Sequence, residues 1–528
     1  MATIAKKLSF TLLMMVCLLG LAEAGLRATM PDLEAVVSPL LYQRNSGQAF
    51  TPGRAPDSRV YVSGRRRVVT NKKAGVRILV FGASAAYGEM YSPFTAFPGQ
   101  AEQALRRANP DIAIEILNLA HGGMGSRQVG EMVFRALEND DPDLVVIYTG
   151  NNEYHELRAL KASSPRYDPS AELLRRRLSK SYVYRQLRDV FIAEESTLTP
   201  PDQTDWLPIG RMDVTVDRDD RELGLALYRE HLQSIVLAAR EHGVPVLLST
   251  VATNSRDHVD NGTPGVASEE EIRALQRLQG IVDKVPKARF AAEAGQVTHA
   301  VKTEGGLHRL GELYLTAGLA EVAASTFEHK ELAALRPMTS NRAMRTVVKD
   351  LGQQYATAVC DLAADLAAGS EDGIPGNAEF IDHCHPNAAG HSRMGQALAE
   401  CILDLGIGGL KRSSVVETAE AISPYRIDQY AGHRRIPGAK TNPSAPNLDT
   451  AEGLAEAGHH AFTEEQFDRA AAAYQASLDK GGDAADLAYS SAMTSLYSGD
   501  LVAARAALKR AVAEGHPVAA AALSAISP

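Results

Sequence analysis

Ile78-Leu79-Val80-Phe81 is a short apolar run that stops at Gly82, and Leu144-Val145-Val146-Ile147-Tyr148 is another. A strand with one face in water alternates polar and apolar residues; an uninterrupted run is covered on both faces. Such strands belong to parallel sheets sheathed by helices. The residues between the runs agree. Ile112 to Leu119 reads as a further strand, and helical spacing covers Pro98 to Ala108 and Ser126 to Leu137. Parallel neighbours need a crossover, and a helix is the usual one. The predicted fold class is therefore α/β, a three-layer α/β/α sandwich around a parallel sheet.

The pattern continues with gaps. Residues 156–220 are charged and irregular and read as an insertion or lid. Arg221 to His242 reads as a helix leading to a strand over Val244 to Val251. After a long helical stretch, Ala358 to Asp361 is the expected last strand and Ala388 to Leu403 the last helix. This places a catalytic-size domain over 76–410, preceded by an approach segment at 25–75 that contains Arg65-Arg66-Arg67. At roughly 150 residues per domain, the 528 residues leave room for more. Residues 411–447 hold Pro424, Pro437, Pro443 and Pro446 and read as a linker. Beyond it, over 448–528, Phe467, Ala470, Tyr474 and Ser477 recur as Leu501, Ala504, Leu508 and Ala511, each 34 residues on. That period predicts an all-α C-terminal domain of helical hairpins and resembles tetratricopeptide repeats. Leu310-Gly311, Tyr314, Gly318, Ala323, Phe327 and Pro337 fit the same template inside the main domain, over 307–337. Two repeats are too few to stand alone, so they must pack on something else.

The N-terminus has the form of an export signal over 1–24. Lys6 and Lys7 precede the uncharged run Leu8 to Leu21, and Ala22-Glu23-Ala24 fits a cleavage site, so the mature chain would begin at Gly25. Left uncleaved, the same segment would be a membrane anchor. Either way the expected location is periplasmic or secreted. Export permits disulfides. Without Cys17, the thiols Cys360, Cys384 and Cys401 are odd in number, so at most one internal bridge forms, and its pairing is open. A net charge of −9 without a long basic run argues against nucleic acid as a partner.

Four polar blocks stand where strand ends are expected. They are Gly82-Ala83-Ser84, Asn118 to Gly123, Gly150-Asn151-Asn152-Glu153, and Asp382-His383-Cys384-His385-Pro386-Asn387. Loops at strand C-termini gather at one edge of a parallel sheet, where ligands bind. A serine there needs a base to take its proton, and a histidine can do so near neutral pH. A carboxylate must then hold the imidazole in one tautomer. Asp382 and His385, three residues apart, can supply both from one turn. The oxygen that turns negative in acyl transfer needs N–H donors. Candidates are the backbone N–H of Ser84, that of Gly123, and the side chain of Asn152.

Ser, Gly, Asn and His in four blocks in this order resemble the SGNH hydrolases, a branch of the GDSL esterases and lipases. The resemblance covers roughly residues 77–403 and implies a flavodoxin-like sandwich. It implies Ser84 as nucleophile, His385 as base, Asp382 as its partner, and Ser84, Gly123 and Asn152 as the oxyanion hole. The sequence departs from the family at Ala83 and Glu153, where aspartates are usual. The implied activity is hydrolysis of O-acyl esters, with a glycan as the first candidate substrate. The same triad could serve an O-acyltransferase, and the repeats could make the chain a scaffold with a protein partner. Glu153, Tyr154, Arg336 and Arg345 are candidate substrate-binding residues. No cofactor and no metal are expected.

Overall fold

In a computed structural model, the described residues are 75–88, 91, 94–163, 167–178, 181–184, 214–259, 267–412, 446–463 and 466–526. Residues 14, 17–26, 28 and the backbone of three N-terminal strands are also described. Those strands, β1 (Phe50–Pro52), β2 (Ser58–Ser63) and β3 (Arg65–Thr70), pair antiparallel within the approach segment. The expected linker lies almost wholly outside the described residues.

The main sheet contains β4 (Val76–Gly82), β5 (Ile114–Asn118), β6 (Leu144–Tyr148), β7 (Val246–Ser249) and β8 (Ala358–Cys360). Its order is β5-β4-β6-β7-β8, and every pairing is parallel. The strand runs behave as double-sided burial requires. Leu79, Phe81, Val145 and Ile147 enter one core layer; Ile78, Val80, Val146 and Tyr148 enter the other. The first layer is closed by α3 (Ser126–Asn139), α6 (Arg218–Glu241) and α11 (Arg342–Tyr355). The second is closed by α2 (Phe97–Ala108), α12 (Leu362–Ala368) and α13 (Ala388–Leu405). The three-layer sandwich is thus present. A disulfide joins Cys360 of β8 to Cys401 of α13, with Cα atoms 5.8 Å apart, and Cys384 stays a buried thiol.

One region differs from expectation. The stretch read as irregular from residue 156 contains α4 (Glu153–Ser163) and α5 (Pro169–Leu178); residues 164–166, 179–180 and 185–213 of it lie outside the described residues. Between β7 and β8, where the sequence reads as a long helical stretch, sits an insertion with its own core. It holds α7 (Glu269–Gln279), α8 (Lys287–Val297) and the hairpin α9 (Glu304–Thr316) and α10 (Ala320–Ala333). Gly311 lets the hairpin close, since a Cβ there would stand 2.5 Å from the Phe327 ring.

The C-terminal region is all-α, with α14 (Ala451–Thr463), α15 (Phe467–Asp479), α16 (Ala484–Tyr497), α17 (Leu501–Ala513) and α18 (Ala519–Ala525). Ala470, Tyr474, Ser477, Ala504, Leu508 and Ala511 line its interior. The surface it packs on is the α/β sandwich. Phe94, between α1 (Ser84–Tyr87) and α2, lies 5.1 Å from Phe462, 5.5 Å from Phe467 and 4.8 Å from Tyr497, centroid to centroid. Gln100 of α2 donates to the Tyr497 hydroxyl at 3.3 Å.

Candidate active site

Ser84 opens α1 directly after β4. The turn into it is tight: a Cβ at Gly82 would lie 2.3 Å from the Tyr148 carbonyl oxygen and 2.8 Å from the Ala86 methyl. Only glycine lets β4 run this close to β6 and still place a serine at the sheet edge. As the first residue of a helix, Ser84 has a backbone N–H without an intrahelical acceptor.

Hydrogen bonds draw the four blocks together. Past the end of β5, His121 N still donates to Gly82 O at 3.1 Å, which carries the second block alongside Ser84. Asn118 Nδ2 donates to Ala86 O at 2.8 Å. The chain then turns at Gly123, whose φ of +77° favours glycine. Asn152 Nδ2 donates to Met124 O at 3.0 Å, tying the third block to the second. An amide carries two N–H donors, and this bond uses one.

The fourth block faces the first across 301 residues of chain. His385 Nε2 accepts from Ser84 Oγ at 2.7 Å, and His385 Nδ1 donates to Asp382 Oδ2 at 2.6 Å. The other oxygen, Asp382 Oδ1, accepts from the backbone N–H of Cys384 at 2.9 Å and of His385 at 2.8 Å. His383 points elsewhere, with its Nδ1 3.7 Å from Asp382 Oδ1 and its ring 5.2 Å from that of His258. The electrostatics follow the contacts. Burial works against ionised Asp382, but the His385 hydrogen bond, its charge and two backbone donors win, and the carboxyl sits far below its usual range. Burial likewise opposes the His385 cation. The Asp382 hydrogen bond, with Cys384 beside the ring and the Asp382 charge, outweighs that and raises the histidine.

A residue that sequence reasoning missed holds this loop. Asn254, buried after β7, donates from Nδ2 to Asp382 O at 3.0 Å and to Asn377 Oδ1 at 2.9 Å. Its backbone N–H donates to His383 O at 3.0 Å, and its Oδ1 accepts from Asp257 N at 3.0 Å. Behind His385, buried His391 takes the Phe97 N–H on Nδ1 at 3.2 Å. Asn387 caps α13 through Gly390 N at 3.0 Å. An Asn before a helical run is a readable cap; nothing in the sequence around Asn254 marks its partner.

The candidate substrate-binding residues fare differently. Glu153 and Tyr154 are corrected to interior positions. They begin α4, whose inward face toward α6 also carries Leu157 and Leu160. Glu153 Oε1 takes the Ser126 N–H at 3.2 Å and the Thr149 hydroxyl at 3.3 Å. Burial, with Glu156 nearby, pushes its carboxyl up to about 8. Tyr154 is 2% exposed and packs in the core. The spacing of Tyr154, Leu157 and Leu160 was the available signal. Arg345 pairs with Glu331 at 3.4 Å, and Glu331 accepts from Thr253 at 3.0 Å and from Ser255 at 2.6 Å; it braces the loop around Asn254. Arg336 is half-buried, with no described bond to Ser84, Asp382 or His385. Asp382, His383 and Cys384 present ligand atoms within 4.8 Å of one another, but Asp382 Oδ2 is already the acceptor for His385.

No protein-family model matches the chain. No curated protein matches it either. Solved structures similar to it include an acetylxylan esterase from Geobacillus stearothermophilus, at 13% identity and a TM-score of 0.29, covering 62% of this chain and 94% of that one. Another is a GDSL-like lipase from Bacteroides thetaiotaomicron, at 9% identity and 0.29, covering 62% and 88%. A further acetyl xylan esterase overlaps at 10% identity and 0.29, covering 62% and 100%. At scores this low the overlap carries no inference about this chain.

Proposed function

We propose that the protein is a serine esterase that hydrolyses O-acyl esters outside the cytoplasm, in the manner of the SGNH hydrolases, through an acyl-enzyme on Ser84. One observation carries the reading: Ser84, His385 and Asp382 are linked by two short hydrogen bonds in the order that nucleophilic catalysis needs. Ser84 Oγ attacks the acyl carbon as its proton passes to His385 Nε2. The imidazolium is held by Asp382. Negative charge on the acyl oxygen meets the N–H groups of Ser84, Gly123 and Asn152. Collapse expels the alcohol, which takes the proton from His385, and leaves the acyl group on Ser84. A water, deprotonated by the same nitrogen, then attacks the ester. The acid is released, and Ser84 recovers its proton. The substrate proposed is an O-acylated carbohydrate, the leaving alcohol being a sugar hydroxyl.

The test is covalent labelling with a tagged fluorophosphonate together with acyl-ester turnover. The wild type should label and hydrolyse; Ser84→Ala should do neither while keeping its fold. Labelling that persists in Ser84→Ala refutes the assignment. Adding sugar acceptors during turnover separates hydrolysis from transfer, since only a transferase makes an acylated sugar.

A further inference from the structure

We propose that the N-terminal segment is kept on the protein and seats the catalytic domain against a lipid bilayer, with Glu23 as the latch between segment and domain. The inference is independent of the serine chemistry. Residues 17–26 are helical. Cys17, Leu18, Leu19, Gly20, Leu21 and Ala22 are apolar or small, and all are exposed: Leu18 is 60%, Leu19 46% and Leu21 72% exposed. A helix that is apolar all round belongs in an apolar medium, and among the described residues nothing covers those side chains. The uncharged run Leu8 to Leu21 continues this character toward the N-terminus, up to Lys6 and Lys7. At about 1.5 Å per residue such a run is shorter than a bilayer core of about 30 Å. Lysine stems that reach for headgroups and a locally thinned bilayer accommodate a short segment.

The polar end of this helix is bound to the domain. Glu23 Oε2 accepts from Ser181 Oγ at 2.8 Å and from Val183 N at 3.1 Å, and Oε1 accepts from Tyr182 N at 3.1 Å. Ser181 Oγ in turn accepts from Tyr184 N at 3.2 Å. One carboxylate thus satisfies the opening donors of the 182–184 turn, and bonds to a charged acceptor are the stronger kind. Cleavage after Ala24 would remove that acceptor. The tripeptide Ala22-Glu23-Ala24, which fits a processing site in sequence, is helical, whereas proteolysis concentrates in irregular exposed chain. Leu174 and Leu178, one turn apart on α5 and just before Ser181 in the chain, are also exposed, at 57% and 42%. The chemistry that fits such a face is a lipid surface, and a chain beginning at Gly25 would lack both anchor and latch.

The full chain with a C-terminal affinity tag is expressed in a Gram-negative host, and its membranes are washed with alkaline carbonate. The protein should remain with the membranes, and its intact mass should include residues up to Ala24. A soluble product beginning at Gly25, or release by carbonate, overturns the proposal. The latch is read separately by limited trypsin digestion at Lys180 and Arg185 in detergent. Glu23→Ala should speed that cleavage several-fold and Ser181→Ala less so, both with unchanged turnover of a small soluble ester. Cleavage at the wild-type rate in Glu23→Ala overturns the latch, and lost turnover in that variant does so too, because the segment is then part of the catalytic fold.

Discussion

Asp382→Asn isolates what the carboxylate does for its histidine. The substitution is nearly isosteric. The retained Oδ1 still accepts the backbone N–H groups of Cys384 and His385, so the loop keeps its shape. The other arm changes sign: an N–H now faces His385 Nδ1, where an oxygen accepted at 2.6 Å. The ring answers by moving its proton to Nε2, the atom that must accept from Ser84. In this wrong tautomer the base is disabled although every atom is near its place. The expected loss in kcat is about 10⁴-fold, or about 5.4 kcal/mol at about 1.36 kcal/mol per decade. A second effect follows from charge. The base must be neutral to act, so activity falls as pH drops through the His385 pKa. Asp382 holds that pKa above the ordinary histidine range, so the acid limb of kcat/KM should lie above about 6.5 in the wild type. Losing the carboxylate should move that limb down. Hydrolysis of an activated acetyl ester across pH, with circular dichroism as the fold control, measures both. Turnover within tenfold of wild type, or an acid limb that does not move, refutes the reasoning.

His385→Ala should cost several orders of magnitude in kcat and His383→Ala far less, since only the His385 ring reaches Ser84; steady-state kinetics that reverse the pair would assign the base to His383. Asn254→Leu removes the side-chain bonds to Asp382, Asn377 and Asp257, and kcat should fall about 100-fold with KM little changed, because misplacing the loop spoils alignment rather than binding. A rise in KM alone would show that Asn254 contacts substrate instead. Phe94→Ala empties a contact with three aromatic rings and should cost about 3 kcal/mol of docking, seen as faster proteolysis over 446–526; unchanged protection would mean the C-terminal helices are held elsewhere. Truncation after residue 410 exposes the same Phe94 and should lower solubility or small-ester turnover, and a truncated chain as soluble and active as the whole would refute this docking.

The sequence by itself determined the layered sheet and marked Ser84, Asp382 and His385, the residues proposed as a triad, because both are written in local patterns. A strand buried on two faces must be apolar throughout, so Ile78 to Phe81 and Leu144 to Tyr148 declared themselves. Asp382 and His385 share one turn, so their spacing was legible without a fold. What only the tertiary structure decided involves partners far apart in the chain. Asn254 is one asparagine among many until β7 brings it under the Asp382 loop. Glu153 ends a site block in sequence and Tyr154 follows it, yet the turn of α4 sends both into the core, since direction around a helix, not nearness along the chain, decides what a side chain touches. The pairing of Cys360 with Cys401 needed β8 beside α13. The seat of the C-terminal helices needed Phe94, an aromatic residue with no periodic signal around it. Short-range order follows from each residue and its neighbours; long-range contacts are chosen by how whole elements pack, and a single chain read in order does not contain that choice in readable form.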